Sequence, residues 1–378
     1  MNATDPAYVL LEDGTRFDGI ACGARGRHAV GEIVFTTAMA GYQEAMTDPS
    51  YRGQLITFTF PMIGNYGASE EAMESDGVHA RAAIMRAAVD RDDAPGAQCG
   101  WLTWLAGQGI PAITEVDTRA LVRQIREHGA MRGGVFPGDL AEREAADLIA
   151  AEPEMGGRDL AREVTPDHVV ILGEGPGPRI AMIDTGVKRS IVANLVARGA
   201  TVELHPCSAG AAALTQHDPD ALFLANGPGD PAALDHVVAV VRDLVGRLPV
   251  YGICLGHQLL CRAVGLETYK LPFGHHGTNH PVKDLTTGRV EITSQNHGFA
   301  VLGPDGSRTI DGDDPVRWET EFGAAELTHI NLYDRTVEGL ALQDVRGATV
   351  QYHPEAGPGP HDALHLFDRF VSEIGSPA

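Results

Sequence analysis

The stretch from Leu248 to Cys261 places an apolar run directly before a helical pattern, with Gly252 and Gly256 two residues either side of Cys254. This G-x-C-x-G pattern is the thiol counterpart of the nucleophile elbow, a sharp turn between a strand and a helix. Glycine fits beside the nucleophile because larger side chains would clash in so tight a turn. The turn leaves the thiol at a helix N-terminus, where free N–H groups favour thiolate. We therefore predict Cys254 as a nucleophile; the alternative is a structural turn with a small buried cysteine.

Strands and helices alternate around this elbow in the C-terminal half of the chain. Alternation of this kind predicts a mostly parallel sheet with flanking helices, an α/β fold with its chemistry at the carboxyl ends of the strands. The predicted strands are 180–184, 201–205, 221–225, a strand from 250 and 348–350, and the predicted helices are 188–198 and 232–247.

The N-terminal part has a different composition, rich in glycine and β-forming residues. Strands are predicted over 8–11, 31–37 and 54–60, and helices over 98–108, 117–129 and 138–151. A segment rich in proline, glycine and charge follows. We expect a smaller β-rich α/β domain over 1–151, a linker over 152–178, and the elbow domain over 179–378.

Charge and cysteine content narrow the classes of partner and compartment. The 29 Lys and Arg against 51 Asp and Glu give a formal charge of −22, which repels phosphate backbones and anionic membranes. We expect no nucleic-acid and no membrane partner. Five scattered cysteines without a C-x-x-C pair fit reduced thiols, so we expect a cytoplasmic protein.

A cysteine nucleophile needs a base and a group that orients the base. His353 follows the predicted strand 348–350, and Pro354 favours an extended conformation at His353. Alternate residues of an extended segment point the same way, so His353 and Glu355 should project together as base and orienting carboxylate. The alternative is a chance pairing, since the chain has 16 histidines.

An oxyanion hole needs two N–H donors. One should be the N–H of Leu255, directly after the nucleophile. The glycine-containing turn 226–231 could supply the second, although Gly/Pro clusters are usually plain turns. The histidine-rich stretch 273–280 lacks a carboxylate at ligand spacing, so we expect loop structure and no metal. The amides of 295–299 could recognise an amino-acid head group or form an ordinary turn.

Three motifs together resemble the class I, or triad, glutamine amidotransferases. They are N-G-P-G-D-P at 226–231, G-I-C-L-G-H-Q at 252–258 and H-P-E at 353–355, in that family's order. The likeness covers 179–374. Further stretches resemble the small, glutaminase subunit of carbamoyl-phosphate synthetase. These are F-G-H-H-G-T-N-H-P-V at 273–282, Q-N-H-G-F at 295–299, G-Y-Q-E-A-M-T-D-P-S-Y at 41–51 and F-P-M-I-G-N-Y-G at 60–67.

The resemblance implies a role for each matching residue. Cys254, His353 and Glu355 correspond to the catalytic triad, and Gly227 and Leu255 to the oxyanion-hole donors. The family's contacts with L-glutamine correspond to Ser50, Gly227, Gly229, Leu255, Gln258, Asn296, Gly298 and Phe299.

The resemblance also implies a partner and an absence of cofactors. The partner is a large synthetase subunit, which would bind ATP, Mg²⁺ and bicarbonate and receive ammonia made here. We therefore expect no cofactor on this chain and an N-terminal domain that docks the partner and contributes to the glutamine site. The alternatives are a glutaminase that acts alone or serves another synthase, and a regulatory pseudo-glutaminase. An altered triad would have favoured the pseudo-glutaminase.

Overall fold

The computed structural model describes residues 5–312 and 315–375. Within these ranges the chain forms two compact units. The first comprises the residues up to Met155 together with Pro272–Gly277, and the second comprises Gly156–Leu271 and the residues from Thr278 onward. The outer ends of the two predicted domains, residues 1–4 and 376–378, lie outside the described residues.

Seven strands of the first unit close into a barrel in the order β1-β2-β6-β5-β4-β3-β7. The strands β3, β4, β5 and β6 run parallel to one another, and the other pairs are antiparallel. The strands are β1 (Pro6–Leu11), β2 (Arg16–Gly23), β3 (Ala29–Thr36), β4 (Gln54–Phe58), β5 (Ala82–Ile84), β6 (Pro111–Thr114) and β7 (Met131–Pro137). The helices are α1 (Tyr42–Thr47), α2 (Trp101–Gly107), α3 (Thr118–His128) and α4 (Glu142–Ala151), with 3₁₀ turns at Pro49–Tyr51 and Glu70–Ala72.

The second unit is built on one large twisted sheet in the order β14-β13-β16-β17-β18-β12-β11-β9-β10-β8, with β15 paired to β16. Its strands are β8 (Val170–Leu172), β9 (Arg179–Asp184), β10 (Thr201–Pro206), β11 (Ala221–Leu224), β12 (Val250–Ile253), β13 (Thr268–Asp284), β14 (Val290–Val301), β15 (Arg317–Thr320), β16 (Gly323–Asn331), β17 (Val337–Leu342) and β18 (Gly347–Val350). The helices are α5 (Arg189–Ala197), α6 (Ala211–Leu214), α7 (Asp235–Leu244), α8 (Leu255–Ala263) and α9 (His365–Ile374), with 3₁₀ turns at Ala161–Glu163 and Pro231–Ala233.

The five strands β18, β12, β11, β9 and β10 form the parallel part of this sheet. In its register Leu224 pairs with Gly252, and Ile253 pairs with Val350. Apolar side chains pack on both faces of these strands, as burial on both sides of a parallel sheet requires. The carboxyl ends of β11, β12 and β18 therefore lie side by side and bring the segments that follow them together. The predicted fold class is confirmed for both parts of the chain.

Four details differ from the sequence-based expectations. The stretch 273–280, expected to form a loop, lies within the strand β13. The predicted helix 232–247 is a 3₁₀ turn followed by α7, because Leu234 interrupts the helical backbone. The parallel strands continue into antiparallel strands on one side, β13–β17, which the alternating pattern did not reveal. Residues 156–178 belong to the second unit, where β8 pairs with β10 and Ala161 is buried in the core.

No helix in the described ranges is both long enough and apolar enough to cross a membrane.

Candidate active site

The backbone at Cys254 has the geometry of a nucleophile elbow. Cys254 lies between β12 and α8 with φ 56° and ψ −106°, a strained conformation for a residue with a side chain. Its N–H donates to the backbone O of Val350 over 2.9 Å, which fixes the turn against β18. A Cβ atom on Gly256 would lie 2.1 Å from the backbone O of Leu224, so the turn requires glycine there. The predicted elbow is present as a local structure.

The side chain of Cys254 is enclosed, with 2% of its surface exposed. Its thiol donates to the backbone O of Asn296 over 3.5 Å. Leu255 is the first residue of α8, so its N–H is among the helix donors that have no intrahelical acceptor. A small substrate entering beside Cys254 would therefore meet a backbone N–H as well as the sulfur.

His353 follows β18 and is held in place through its own backbone. Its N–H donates to the backbone O of Ser294 over 2.9 Å. Its Nδ1 lies 2.6 Å from Oε1 of Glu355, and both side chains are buried. The structure thus brings His353 and Glu355 into contact as predicted. The contact is made in a turn, where the N–H of Ala356 donates to the backbone O of His353 over 3.1 Å, and not along the extended segment that the sequence predicted.

Lys188 completes a buried chain of charged groups. Its Nζ donates to Oε1 of Glu355 over 2.9 Å and to the backbone O of Ala356 over 2.8 Å. Only 2% of the Lys188 side chain is exposed, so this ion pair is shielded from water. Lys188 lies outside the sequence motifs that predicted the site. Its position could have indicated a role. A lysine at the N-cap of α5 is unfavourable beside the positive end of the helix dipole unless an anion lies nearby.

Burial and neighbouring charges shift the pKa values of Glu355 and His353 in opposite directions. Burial alone would raise the pKa of Glu355, but Lys188 and His353 together lower the pKa of Glu355 to about 2. Burial alone would lower the pKa of His353, but Glu355 and Cys254 raise the pKa of His353 to about 10. The Nε2 atom of His353 has no partner at regular hydrogen-bond geometry among the described residues, although Cys254 is close enough to affect this pKa. At neutral pH the histidine therefore holds a proton.

The turn after β11 approaches the same end of the sheet. Thr185 Oγ1 donates to the backbone O of Ala225 and of Asn226, which anchors the start of this turn. A Cβ atom on Gly227 would lie 2.1 Å from the backbone O of Thr185 and 3.0 Å from the side chain of Leu255. Gly227 thus lies next to the first residue of α8. The predicted donor roles of Gly227 and Leu255 stay predictions.

The predicted glutamine contacts of the second unit lie on α8, on β14 and on the turn after β11. Gln258 Nε2 donates to the backbone O of Phe299 over 2.9 Å, and Asn296 carries the carbonyl that accepts from Cys254. Gly298 lies on β14 between Asn296 and Phe299. Gly229 lies on the turn after β11, where a Cβ atom would meet the backbone O of Arg158 at 2.7 Å. The substrate roles of these residues are not tested by the geometry alone.

Ser50 belongs to the first unit, in the 3₁₀ turn Pro49–Tyr51. Its N–H donates to Oδ1 of Asp48 over 2.8 Å, an ordinary cap of this turn. The predicted contact of Ser50 with glutamine stays a prediction.

Comparison with known proteins agrees with this fold and site. The family model described as glutamine amidotransferase class-I matches residues 181–373, so the second unit is a domain of that class. The model described as carbamoyl-phosphate synthase small chain, CPSase domain, matches residues 9–135.

Full-length relatives identify the family. The carbamoyl phosphate synthase small chain of Thioalkalivibrio sulfidiphilus is 43% identical over 392 residues, covering 98% of this chain and 97% of that protein. The small chains of Corynebacterium efficiens and Archaeoglobus fulgidus are 45% and 42% identical; they cover 97% of this chain each, and 91% and 98% of their own lengths. The chain belongs to the carbamoyl phosphate synthase small chain family. The predicted family and enzyme class, a glutamine amidotransferase, are confirmed.

Proposed function

We propose that this chain hydrolyses L-glutamine with a Cys254–His353–Glu355 triad and passes the ammonia to a large synthetase subunit. The large subunit would make carbamoyl phosphate from bicarbonate and ATP, for pyrimidine and arginine biosynthesis. The observation that carries the proposal is the combination of a strained cysteine elbow with a buried histidine whose Nδ1 contacts a buried carboxylate.

The first half of the reaction transfers the acyl group to the enzyme. The thiol proton of Cys254 rests on His353, and the thiolate Sγ attacks the side-chain amide carbon of glutamine. The oxyanion that forms would accept hydrogen bonds from the N–H groups of Gly227 and Leu255. His353 then gives its proton to the departing nitrogen, so that ammonia leaves and a thioester on Cys254 remains.

The second half regenerates the enzyme. His353, now neutral, takes a proton from a water molecule, and the resulting hydroxide attacks the thioester carbon. The carbon–sulfur bond breaks, and Cys254 leaves as a thiolate beside the protonated His353. The new carboxyl group gives its proton to water and departs as glutamate. Glu355 keeps the imidazole oriented in both halves, since it contacts Nδ1 and leaves Nε2 for the substrate.

The proposal includes a partner and a compartment. Ammonia that escapes into water becomes ammonium, so its transfer calls for a closed route to a bound large subunit. No cofactor on this chain is needed for amide hydrolysis by this route. A cytoplasmic location agrees with five free cysteines in the described ranges and would be tested by cell fractionation.

The decisive experiment replaces the nucleophile in the complex with the large subunit. Cys254→Ser should abolish glutamine-dependent carbamoyl phosphate synthesis and leave ammonia-dependent synthesis intact. Cys261→Ser is the matched control, because Cys261 is a buried cysteine of α8, the helix that follows Cys254, and the substitution should leave both activities in place. Glutamine turnover in the Cys254 variant would refute the triad. An inactive wild-type chain that still binds the large subunit would favour the pseudo-glutaminase.

A further inference from the structure

A second buried carboxylate, outside the proposed triad, lies on β17. Glu338 has 0% of its surface exposed. Within the second unit, its Oε2 accepts from Gln295 Nε2 over 3.0 Å and its Oε1 accepts from Asn331 Nδ2 over 2.8 Å. Glu338 thereby connects three strands, β14, β16 and β17, and the proposed mechanism gives it no role.

The contacts of Gln295 fix the direction of its side-chain amide. Nε2 donates to Glu338 and also to Thr293 Oγ1 over 3.1 Å. A reversed amide would turn its oxygen towards Glu338 and lose both of these donated hydrogen bonds. The Gln295 Oε1 atom therefore points to the other neighbour, His297, whose Nε2 lies 2.9 Å away.

These contacts determine the protonation of His297. Its Nδ1 lies 2.7 Å from the backbone O of Phe299, and a carbonyl oxygen can only accept. Its Nε2 faces Gln295 Oε1, which also only accepts. Both ring nitrogens must then donate, so His297 is an imidazolium. The side chain of Gln295 therefore links His297 to the carboxyl group of Glu338.

We propose that Glu338 is a positioning residue for the glutamine site, because it holds His297 as an imidazolium through Gln295. This inference rests on the proposed function, since its target is the segment 296–299 of β14. The Phe299 carbonyl is fixed by His297 on one side and by Gln258 on the other. The neighbouring Asn296 carbonyl accepts from the Cys254 thiol. Loss of the Glu338 carboxylate would therefore loosen the segment 296–299 and leave the contact between His353 and Glu355 in place.

The first test is kinetic and uses the full chain with the large subunit. Glu338→Gln should raise KM for glutamine about tenfold and change kcat less than about threefold, the pattern expected when uniform binding is lost. Glu203→Gln is the matched control. Glu203 is also a buried carboxylate, on β10, and is bound by Arg179 and His217. It should leave KM unchanged.

The second test observes the proton directly, by NMR of the full chain labelled with ¹⁵N-histidine. The wild-type signals of His297, identified by their loss in His297→Gln, should show two protonated ring nitrogens at neutral pH. Glu338→Gln should convert them to a neutral imidazole. If that variant does not fold, Gln295→Met breaks the same connection with Glu338 kept, and it should have the same effect.

The outcomes separate this inference from the proposed function. A neutral His297 in the wild type would overturn it, whatever the activity. The inference would also be overturned if NMR showed that Glu338→Gln loses the imidazolium while calorimetry showed that the variant binds glutamine as tightly as the wild type. A wild-type chain without glutaminase activity would instead refute the proposed function, and calorimetry and NMR would still test the role of Glu338.

Discussion

Lys188 Nζ lies 2.9 Å from Oε1 of Glu355, and neither side chain has more than 2% of its surface exposed. The same carboxylate oxygen contacts His353 Nδ1. One oxygen of Glu355 is thus shared between a fixed cation and the proposed catalytic base. Because Lys188 balances the charge of Glu355, the carboxylate stays ionised where burial alone would favour its neutral form.

We expect Lys188→Met to impair both stability and catalysis. The variant leaves the buried carboxylate with His353 as its remaining positive partner, and removal of one partner of a buried ion pair typically costs about 3 kcal/mol. Glutamine turnover should fall at least about tenfold, because a disturbed Glu355 no longer orients His353. The measurements are Tm and steady-state kinetics. Arg189→Met is the control, since it removes an exposed charge from the next residue. Equal behaviour of the two variants would mean that Lys188 is dispensable.

The sequence predicted the parts of the site that depend on local geometry. Gly252, Cys254 and Gly256 form a turn whose shape follows from short-range sterics. The contact between His353 and Glu355 is also local, although a turn after β18 makes it where an extended segment was predicted. Lys188 could not be placed in the same way, because 167 residues separate it from Glu355 and its burial depends on how β9 and β18 are arranged in the sheet.

The same limit applies to the fold. Alternating strands and helices predict a parallel sheet, so β9–β12 were expected. The antiparallel strands β13–β17 and the closure of β7 on β1 depend on pairing between distant segments, for which single strands carry little signal. The buried network around Glu338 has the same origin, because it joins side chains from three strands.

The raised pKa of His353 predicts a pH-dependent stability. Its pKa is about 10 in the folded chain against an ordinary value of 6.5, so the folded state holds the proton more tightly. This stabilisation is complete below about pH 6.5 and is lost as the pH rises towards 10. The difference in unfolding free energy between wild type and His353→Asn should therefore shrink from pH 6 to pH 10.

His257 is a control for this measurement, because its pKa is shifted in the opposite direction from that of His353. Burial lowers the pKa of His257 to about 3, so the stabilisation from a neutral His257 is complete above about pH 6.5 and declines as the pH falls. The difference in unfolding free energy between wild type and His257→Asn should thus shrink towards low pH. Urea unfolding across the pH range measures both series. Parallel trends in the two variants would contradict the protonated state of His353.

Cysteine reactivity gives an independent check on the elbow. Burial raises the pKa of four thiols, to about 12 for Cys22, and a protonated thiol is a poor nucleophile. The other three are Cys99, Cys207 and Cys261. Cys254 stands at the start of α8 beside a protonated His353 and should alkylate first. Mass spectrometry of an iodoacetamide time course measures the alkylation rate of each cysteine. His353→Asn should lower the rate at Cys254 and leave the rate at Cys99 unchanged. A faster Cys99 in the wild type would contradict an activated Cys254.

The last prediction concerns the space that the elbow leaves. A methyl group on Gly256 would lie 2.1 Å from the backbone O of Leu224, and a backbone atom in the central sheet cannot move aside as a flexible side chain can. Gly256→Ala should therefore lower stability by about 3 kcal/mol and reduce glutamine turnover, because α8 must shift away from β11 and carry the Cys254 turn with it. Gly210→Ala is the matched control, since no atom lies within 4 Å of its added methyl group and its φ of −83° suits alanine. Calorimetric Tm values and glutaminase rates compare the two variants. A Gly256→Ala protein as stable and active as the Gly210→Ala protein would show that the turn has room for a side chain, and that glycine is not what gives the elbow its shape.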